Sequence, residues 1–161
     1  DGINGGEYSQ QQLLDLATSL WPKNVTGSPY VVFTGGEPAL QLTEQLVQSF
    51  KQASFETAVE SNGTLPLPSN LDWVCISPKG QSKLVIGQCD ELKIVFPQED
   101  LHPRDVENIR ASHYFISPMA SYGVDNSGTI INENMQAATQ FCLENPKWRM
   151  SIQTHKLLGI D

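Results

Sequence analysis

Short apolar segments that alternate with helical segments constrain the fold of this chain more than any other feature. The apolar segments are rich in β-branched or aromatic residues and end at polar, glycine or proline turns, as strands do. The predicted strands are residues 30–34, 56–61, 73–77, 91–95, 113–116 and 149–153, and the predicted helices are residues 9–21, 42–53, 103–110 and 134–144. Such alternation indicates an α/β fold with parallel strands and right-handed crossovers.

The length of the chain and its apolar content bound the number of domains. With 161 residues, 39% of them hydrophobic, the chain can bury a core without disulfides or metals, so residues 1–161 are expected to form a single domain. The run from Tyr30 to Thr34 is predicted to be a strand buried on both faces. An open doubly wound sheet and a partial barrel of alternating strands and helices both fit this pattern.

Net charge and the start of the chain argue against several classes of partner. The formal net charge is −8, whereas nucleic-acid binding needs basic patches, so no direct nucleic-acid partner is expected. The chain has no apolar run of about 20 residues and no targeting pattern, so we expect a cytoplasmic protein without membrane association. It begins with Asp1 rather than Met, inside what is typical of a loop, so we expect a piece of a longer protein.

The three cysteines do not form a metal-binding motif. Cys75, Cys89 and Cys142 each lie within or beside an apolar segment, and they are too far apart in sequence for a closely spaced ligand set. We interpret them as buried, reduced thiols and expect no metal site in this chain.

The most informative segment is Thr34-Gly35-Gly36-Glu37-Pro38, which follows a predicted strand. Two glycines let the backbone approach a ligand closely, and a carboxylate beside them can accept hydrogen bonds from an amine. The same residues also suit an ordinary strand-to-helix turn with Pro at the helix start. This segment alone leaves both interpretations open.

Further strand-end segments carry polar groups, and each has a plain structural alternative. Those alternatives are an Asn-Gly turn, a Ser-Pro turn with a solvated Lys79, a Met119 packed in the core, and a His155 whose hydrogen bonds are made by the backbone. The segments are Glu60-Ser61-Asn62-Gly63-Thr64, Ser77-Pro78-Lys79, Ser117-Pro118-Met119-Ala120 and the chain end from Ser151 through His155 to Asp161.

Taken together and in this order, these segments closely resemble the 7-carboxy-7-deazaguanine synthase family of radical S-adenosylmethionine (SAM) enzymes. The resemblance covers nearly the whole chain and includes Glu91 through Lys93, with Ser61 where the family has Thr. It implies a partial, TIM-like barrel. It also implies that SAM is bound by Gly36, Glu37, Ser77, Pro78, Lys79, Ser117, Pro118, Met119 and Ala120, and the pterin substrate by Thr34, Glu60, His155 and Asp161.

The resemblance further implies cofactors and partners that act on a longer protein. The family holds a [4Fe–4S] cluster on three closely spaced cysteines and uses Mg²⁺, and a reducing partner such as flavodoxin or ferredoxin supplies electrons. This chain contains no such cysteine motif, so we expect its first strand and cluster loop to be missing. Asp161 is then the expected natural terminus, and a homodimer would be one way to cover the exposed sheet edge.

The implied reaction converts 6-carboxy-5,6,7,8-tetrahydropterin to 7-carboxy-7-deazaguanine with loss of ammonia, a step toward queuosine in tRNA. SAM would be cleaved reductively, and the resulting radical would abstract hydrogen from the substrate. We expect no lyase activity from residues 1–161 alone. Two rival hypotheses are a cluster-free, non-catalytic binding module and a radical SAM enzyme with another substrate, although the C-terminal Gln153-Thr154-His155-Lys156 disfavours the second.

Overall fold

A computed structural model describes residues 5–120 and 133–154 as an α/β fold. The order of the strands in the sheet is their order in the chain, and every strand pair with a defined register is parallel. This confirms the predicted α/β class. The helices are α1 (Gln10–Leu20), α2 (Glu44–Gln52) and α3 (Glu133–Glu144), and the strands are β1 (Tyr30–Phe33), β2 (Glu56–Ser61), β3 (Trp73–Ile76), β4 (Gln88–Phe96), β5 (Arg110–Pro118) and β6 (Arg149–Met150). Closure into a partial barrel stays a prediction.

The fold consists of two compact units. The first comprises the described residues through Glu60 together with Leu67–Trp73, and the second comprises Ser61–Pro66 and the described residues from Val74 onward. The expectation of a single domain stays a prediction. Among residues 5–120 and 133–154, no helix is both long enough and apolar enough to cross a membrane.

In the first unit, α2 packs on one face of β1 and against Phe55, the residue before β2. Phe50 of α2 is buried and contacts the rings of Phe33 and Phe55 edge-on, each with a centroid separation of 5.4 Å. The other face of β1 is not covered in the same way, because Tyr30 and Val32 remain 44% and 45% exposed. The prediction that this strand is buried on both faces is therefore wrong. A short apolar run does not reveal which of its faces is covered.

Asp72 connects three segments of the first unit. Its Oδ2 accepts hydrogen bonds from the backbone N–H and the hydroxyl of Thr57, at 2.9 and 2.8 Å, and its Oδ1 pairs with the Lys51 ammonium. Lys51 also donates to the carbonyl of Asn70 at 3.1 Å. Hydrogen bonds from Lys51 and from the Thr57 N–H lower the pKa of Asp72 below its ordinary value. This carboxylate therefore ties the segment before β3 to β2 and α2.

In the second unit, α3 packs on one face of the parallel strands β4, β5 and β6. Phe96 of β4 lies 5.0 Å from Phe141 of α3, and Tyr114 of β5 lies 5.3 Å from Trp148, between ring centroids. The core of this unit contains the fully buried side chains of Ile76, Leu92, Ile94 and Ile116. Because strand side chains alternate between faces, the residues between these core positions point to the opposite face of the sheet.

Two predicted elements differ from the structure. The predicted helix over residues 103–110 is wrong: a 3₁₀ turn spans only Pro103–Val106, and Arg110 opens β5. His102 and Asp105 form a capping box and Pro103 follows, which are helix-start signals, but the N–H of Arg110 donates to the carbonyl of Gly87 at 3.0 Å and joins the sheet. The strand predicted over residues 149–153 is shorter, ending at Met150.

Candidate functional site

The turn after β1 is open on one side. Thr34 is exposed, and Gly35 adopts a φ of +90°, a left-handed conformation that glycine reaches without steric cost. A Cβ atom placed on Gly35 or on Gly36 would meet no other atom within 4 Å. The backbone of this turn is therefore accessible to a ligand.

Glu37 has a structural role in the same turn. Its Oε1 accepts a hydrogen bond from the N–H of Ala39 at 3.0 Å, which caps the 3₁₀ turn Pro38–Leu40. The structure thus confirms the strand-to-helix turn that the sequence allowed. Capping also orients the half-buried carboxylate, and amine binding by Glu37 stays a prediction.

Thr34 and Glu60 are brought together by the pairing of β1 with β2. The register pairs Phe33 with Val59, so Thr34 and Glu60 are the next residues along the two neighbouring strands. Both point away from the face on which Phe33 contacts Phe50, because side chains alternate along a strand. Two residues predicted to bind substrate therefore lie side by side at the carboxyl ends of two strands.

The segment Ser61-Asn62-Gly63-Thr64 is a tight turn held by its own side chains. Ser61 Oγ accepts from the N–H of Gly63 at 3.1 Å, and Asn62 Oδ1 accepts from the N–H and the hydroxyl of Thr64 at 2.9 and 2.7 Å. Gly63 has a φ of +78°, and a Cβ there would lie 2.9 Å from Cγ2 of Ile76. The Asn-Gly turn interpretation is therefore confirmed for these residues.

In the second unit, Ser77 and Ser117 are buried serines that follow or end strands. Ser77 is 6% exposed and Ser117 is 8% exposed. The register pairs Ile76 with Leu92 and Val95 with Ser117, so both serines and Lys93 lie on the sheet face away from α3. Pro78 is buried and Pro118 half-buried, whereas Lys79, Met119 and Ala120 are exposed.

A cavity of about 520 Å³ lies at the carboxyl ends of β4 and β5. Met119 lines this cavity, as does Gly80, the neighbour of Lys79. The remaining lining residues, which sequence reasoning missed, are Pro97, Gln98, Glu99 and Asp100. The polar run directly after β4 was the available signal, because ligands in parallel α/β folds bind at the carboxyl ends of strands.

Sequence reasoning assigned no role to a polar layer on the sheet face away from α3, although Glu91 through Lys93 belong to the segments that resemble the family. The register pairs Cys75 with Glu91 and Glu91 with His113, and Lys93 lies two residues beyond Glu91 on the same face. Cys75 Sγ lies 3.5 Å from Glu91 Oε1. Glu91, Lys93 and His113 are all half-buried. The signal was the alternation of β4, in which Glu91 and Lys93 flank the buried Leu92 and Ile94.

The cysteines of the chain do not fit an iron–sulfur cluster. Cys75 and Cys89 are buried free thiols, as predicted, and Cys142 is a half-buried free thiol. Burial, followed by the charge of Asp90, raises the pKa of Cys89 to about 11, which disfavours the thiolate that a metal needs. Within residues 5–120 and 133–154, no group of three or more potential metal ligands comes together.

His155 and Asp161 lie outside the described residues, which end at Thr154. Their predicted contacts with substrate therefore stay predictions. The last described residues, Ile152, Gln153 and Thr154, are exposed.

Comparison with known proteins gives a consistent set of relatives, although no family model matches the chain. A 7-carboxy-7-deazaguanine synthase from Bordetella pertussis is 42% identical over 161 residues, which cover 99% of this chain and 73% of the relative. The synthase from Bradyrhizobium diazoefficiens is 41% identical over the same shares. The crystal structure of QueE from Escherichia coli superposes with a TM-score of 0.64 at 21% identity, covering 91% of this chain. The chain spans 64% of that structure, and the likeness supports the α/β fold.

Proposed function

Because this chain belongs to the 7-carboxy-7-deazaguanine synthase family, we propose that the full-length protein converts 6-carboxy-5,6,7,8-tetrahydropterin to 7-carboxy-7-deazaguanine with loss of ammonia. The observation that carries this proposal is 42% identity over 99% of the chain and 73% of a named synthase. The reaction is that of a lyase and would serve 7-deazapurine and queuosine biosynthesis in the cytoplasm.

The SAM-binding role is assigned to the strand-end turns. When bound, SAM would supply the radical chemistry, while the protein would hold and orient it. Support comes from the open space beside Gly35 and Gly36 and from the oriented carboxylate of Glu37. The other proposed SAM-binding residues are Ser77, Pro78, Lys79, Ser117, Pro118, Met119 and Ala120.

The substrate-binding role is assigned to Thr34 and Glu60, with His155 and Asp161 as further proposed contacts. Thr34 and Glu60 are neighbours on adjacent strands, on the face away from α2. The Glu60 carboxylate is suited to accept hydrogen bonds from the N–H groups of an aminopyrimidinone ring, as carboxylates do when they recognise base edges. Thr34 would add a hydroxyl at the same level of the sheet.

Residues 1–161 alone are predicted to be inactive. Their three cysteines do not fit a cluster, and the radical reaction depends on one. The cluster, Mg²⁺, the flavodoxin- or ferredoxin-like electron donor and a homodimer are therefore proposals for the full-length protein. A cluster-free binding module is the alternative, and the cysteine arrangement of this chain is the observation that favours it.

One experiment separates these two functions. The full-length protein would be reconstituted anaerobically with iron and sulfide, then assayed with SAM, a reductant and the pterin substrate. We expect the full-length protein to hold a cluster, which residues 1–161 alone would not hold, and to form 7-carboxy-7-deazaguanine. A full-length protein that binds SAM but holds no cluster and gives no product would be a binding module.

A matched pair of variants assigns Glu60 within the same assay. Glu60→Gln should weaken substrate affinity about tenfold, since a carboxylate acceptor is lost, with SAM affinity unchanged. Glu56→Gln is the control, because Glu56 is an exposed residue on the same face at the other end of β2. Unchanged substrate affinity in Glu60→Gln would remove Glu60 from the site.

A further inference from the structure

The sheet face away from α3 carries charged residues at positions where a parallel sheet normally presents apolar ones. Interior positions of barrels and doubly wound sheets are filled mainly by Val, Ile and Leu. Here the layer across β3, β4 and β5 consists of Cys75, Glu91 and His113, and the next layer toward the carboxyl ends contains Ser77, Lys93 and Phe115. The face that packs on α3 is apolar by comparison, with Leu92, Ile94 and Ile116 buried.

Glu91, Lys93 and His113 are three ionisable side chains that are half-buried on one sheet face. Removal from water penalises the charged form of such side chains, so they are seldom buried without polar partners. Cys75 Sγ lies 3.5 Å from Glu91 Oε1, so the carboxylate is oriented from the neighbouring strand. This layer therefore makes polar contacts with charged groups rather than apolar packing contacts.

Lys93 lies in the layer nearest the ligand site. Lys93 is three residues before Phe96, where β4 ends. Because Ile76 of β3 pairs with Leu92 of β4, the next residues along the two strands, Ser77 and Lys93, are neighbours. Two residues of strand rise about 6.6 Å, a distance that the flexible four-carbon stem of a lysine can span. Its ammonium is therefore within reach of the level of Val95 and Ser117, at the carboxyl ends of β4 and β5.

We propose that Lys93 binds the carboxylate of a ligand held at the carboxyl ends of β3, β4 and β5, with Glu91 and His113 beneath it as positioning residues. The inference rests on the proposed function, in which SAM and the pterin substrate each carry one carboxylate. An ammonium is a compact point charge suited to such a group. Glu91 lies two residues before Lys93 on the same sheet face, so its negative charge would favour the positive charge of Lys93 in the empty site, and the ligand carboxylate would add a second interaction.

The test compares ligands that differ only near the carboxylate. Reconstituted full-length protein would be titrated by equilibrium dialysis with SAM and decarboxylated SAM, and with the pterin substrate and its 6-hydroxymethyl analogue. In Lys93→Gln, affinity for one of the two carboxylate ligands should fall about tenfold or more, with its analogue unaffected. Whichever carboxylate ligand is weakened identifies the source. Lys93→Arg should retain part of the affinity.

Lys147→Gln is the matched control. Lys147 is exposed, and its ammonium lies 3.9 Å from the ring centroid of Tyr114, whose side chain packs against Trp148. The same change of charge at Lys147 should leave all four affinities as in the wild type. A purely structural role of Lys93 would weaken acid and analogue equally, and that result, or no change at all, overturns the inference.

Measurements on the wild-type protein separate a failure of the Lys93 role from a failure of the proposed function. Wild-type turnover without a selective effect of Lys93→Gln overturns the role of Lys93 and leaves the proposed function intact. A wild-type protein that binds neither SAM nor the pterin removes the proposed function, and the carboxylate role of Lys93 with it.

Discussion

Two glycine turns that follow strands in this molecule have opposite surroundings. At Gly63 a Cβ atom would lie 2.9 Å from Cγ2 of Ile76, whereas at Gly35 and Gly36 it would meet nothing within 4 Å. Gly63 thus lets the chain pack closely against itself, and the Gly35-Gly36 turn leaves its backbone accessible from outside. The same residue type therefore serves folding at one turn and, in our proposal, ligand binding at the other.

The largest expected effect comes from filling the closed turn. Gly63→Ala should lower the free energy of unfolding by about 3 kcal/mol, since left-handed backbone strain adds to overpacking of the core. Both causes are present, with a φ of +78° and the short approach to Ile76. Urea unfolding of the full-length protein measures this loss. A change below about 1 kcal/mol would remove the distinction between the two turns.

Asp72 is a carboxylate that, like Gly63, serves the folded structure rather than a ligand, because it accepts hydrogen bonds from Thr57. Asp72→Ala should lower the free energy of unfolding by about 2 kcal/mol, because the N–H of the fully buried Thr57 loses an acceptor. The folded-state pKa of Asp72 is lowered from 3.8, so its contribution is present above that value and is lost as the pH falls through the folded pKa. Unfolding curves of wild type and Asp72→Asn should therefore converge below pH 3.8. A difference independent of pH would contradict the role of the charge.

The smallest expected effect on stability comes from the open turn. Gly36→Ala should change the free energy of unfolding by less than about 0.5 kcal/mol, because its Cβ meets open space. It should still weaken SAM binding about tenfold, as the methyl group would occupy space needed by a ligand at the backbone. Equilibrium dialysis with SAM measures the affinity. Unchanged SAM affinity would leave Gly36 with the turn role alone.

Most of the fold was predictable because its signals are local. The capping Ser9 before α1 and the alternation of strands with helices need only neighbouring residues, and all six predicted strands recur with their ends shifted by at most three residues. The predicted helix at residues 103–110 failed because the hydrogen bond of Arg110 to Gly87, distant in sequence, outweighed local helix-start signals. Likewise, Tyr30 and Val32 look like core residues in sequence, but packing leaves one face of β1 exposed.

By itself the sequence determined the order of strands and turns, the strand-end motifs and the family. Tertiary structure alone decided which glycine is packed and which is open, that Thr34 and Glu60 become neighbours, and that Glu91, Lys93 and His113 share a sheet face. The physical reason is that strand register and side-chain packing depend on contacts between residues far apart in the chain. Local propensity carries little information about such contacts.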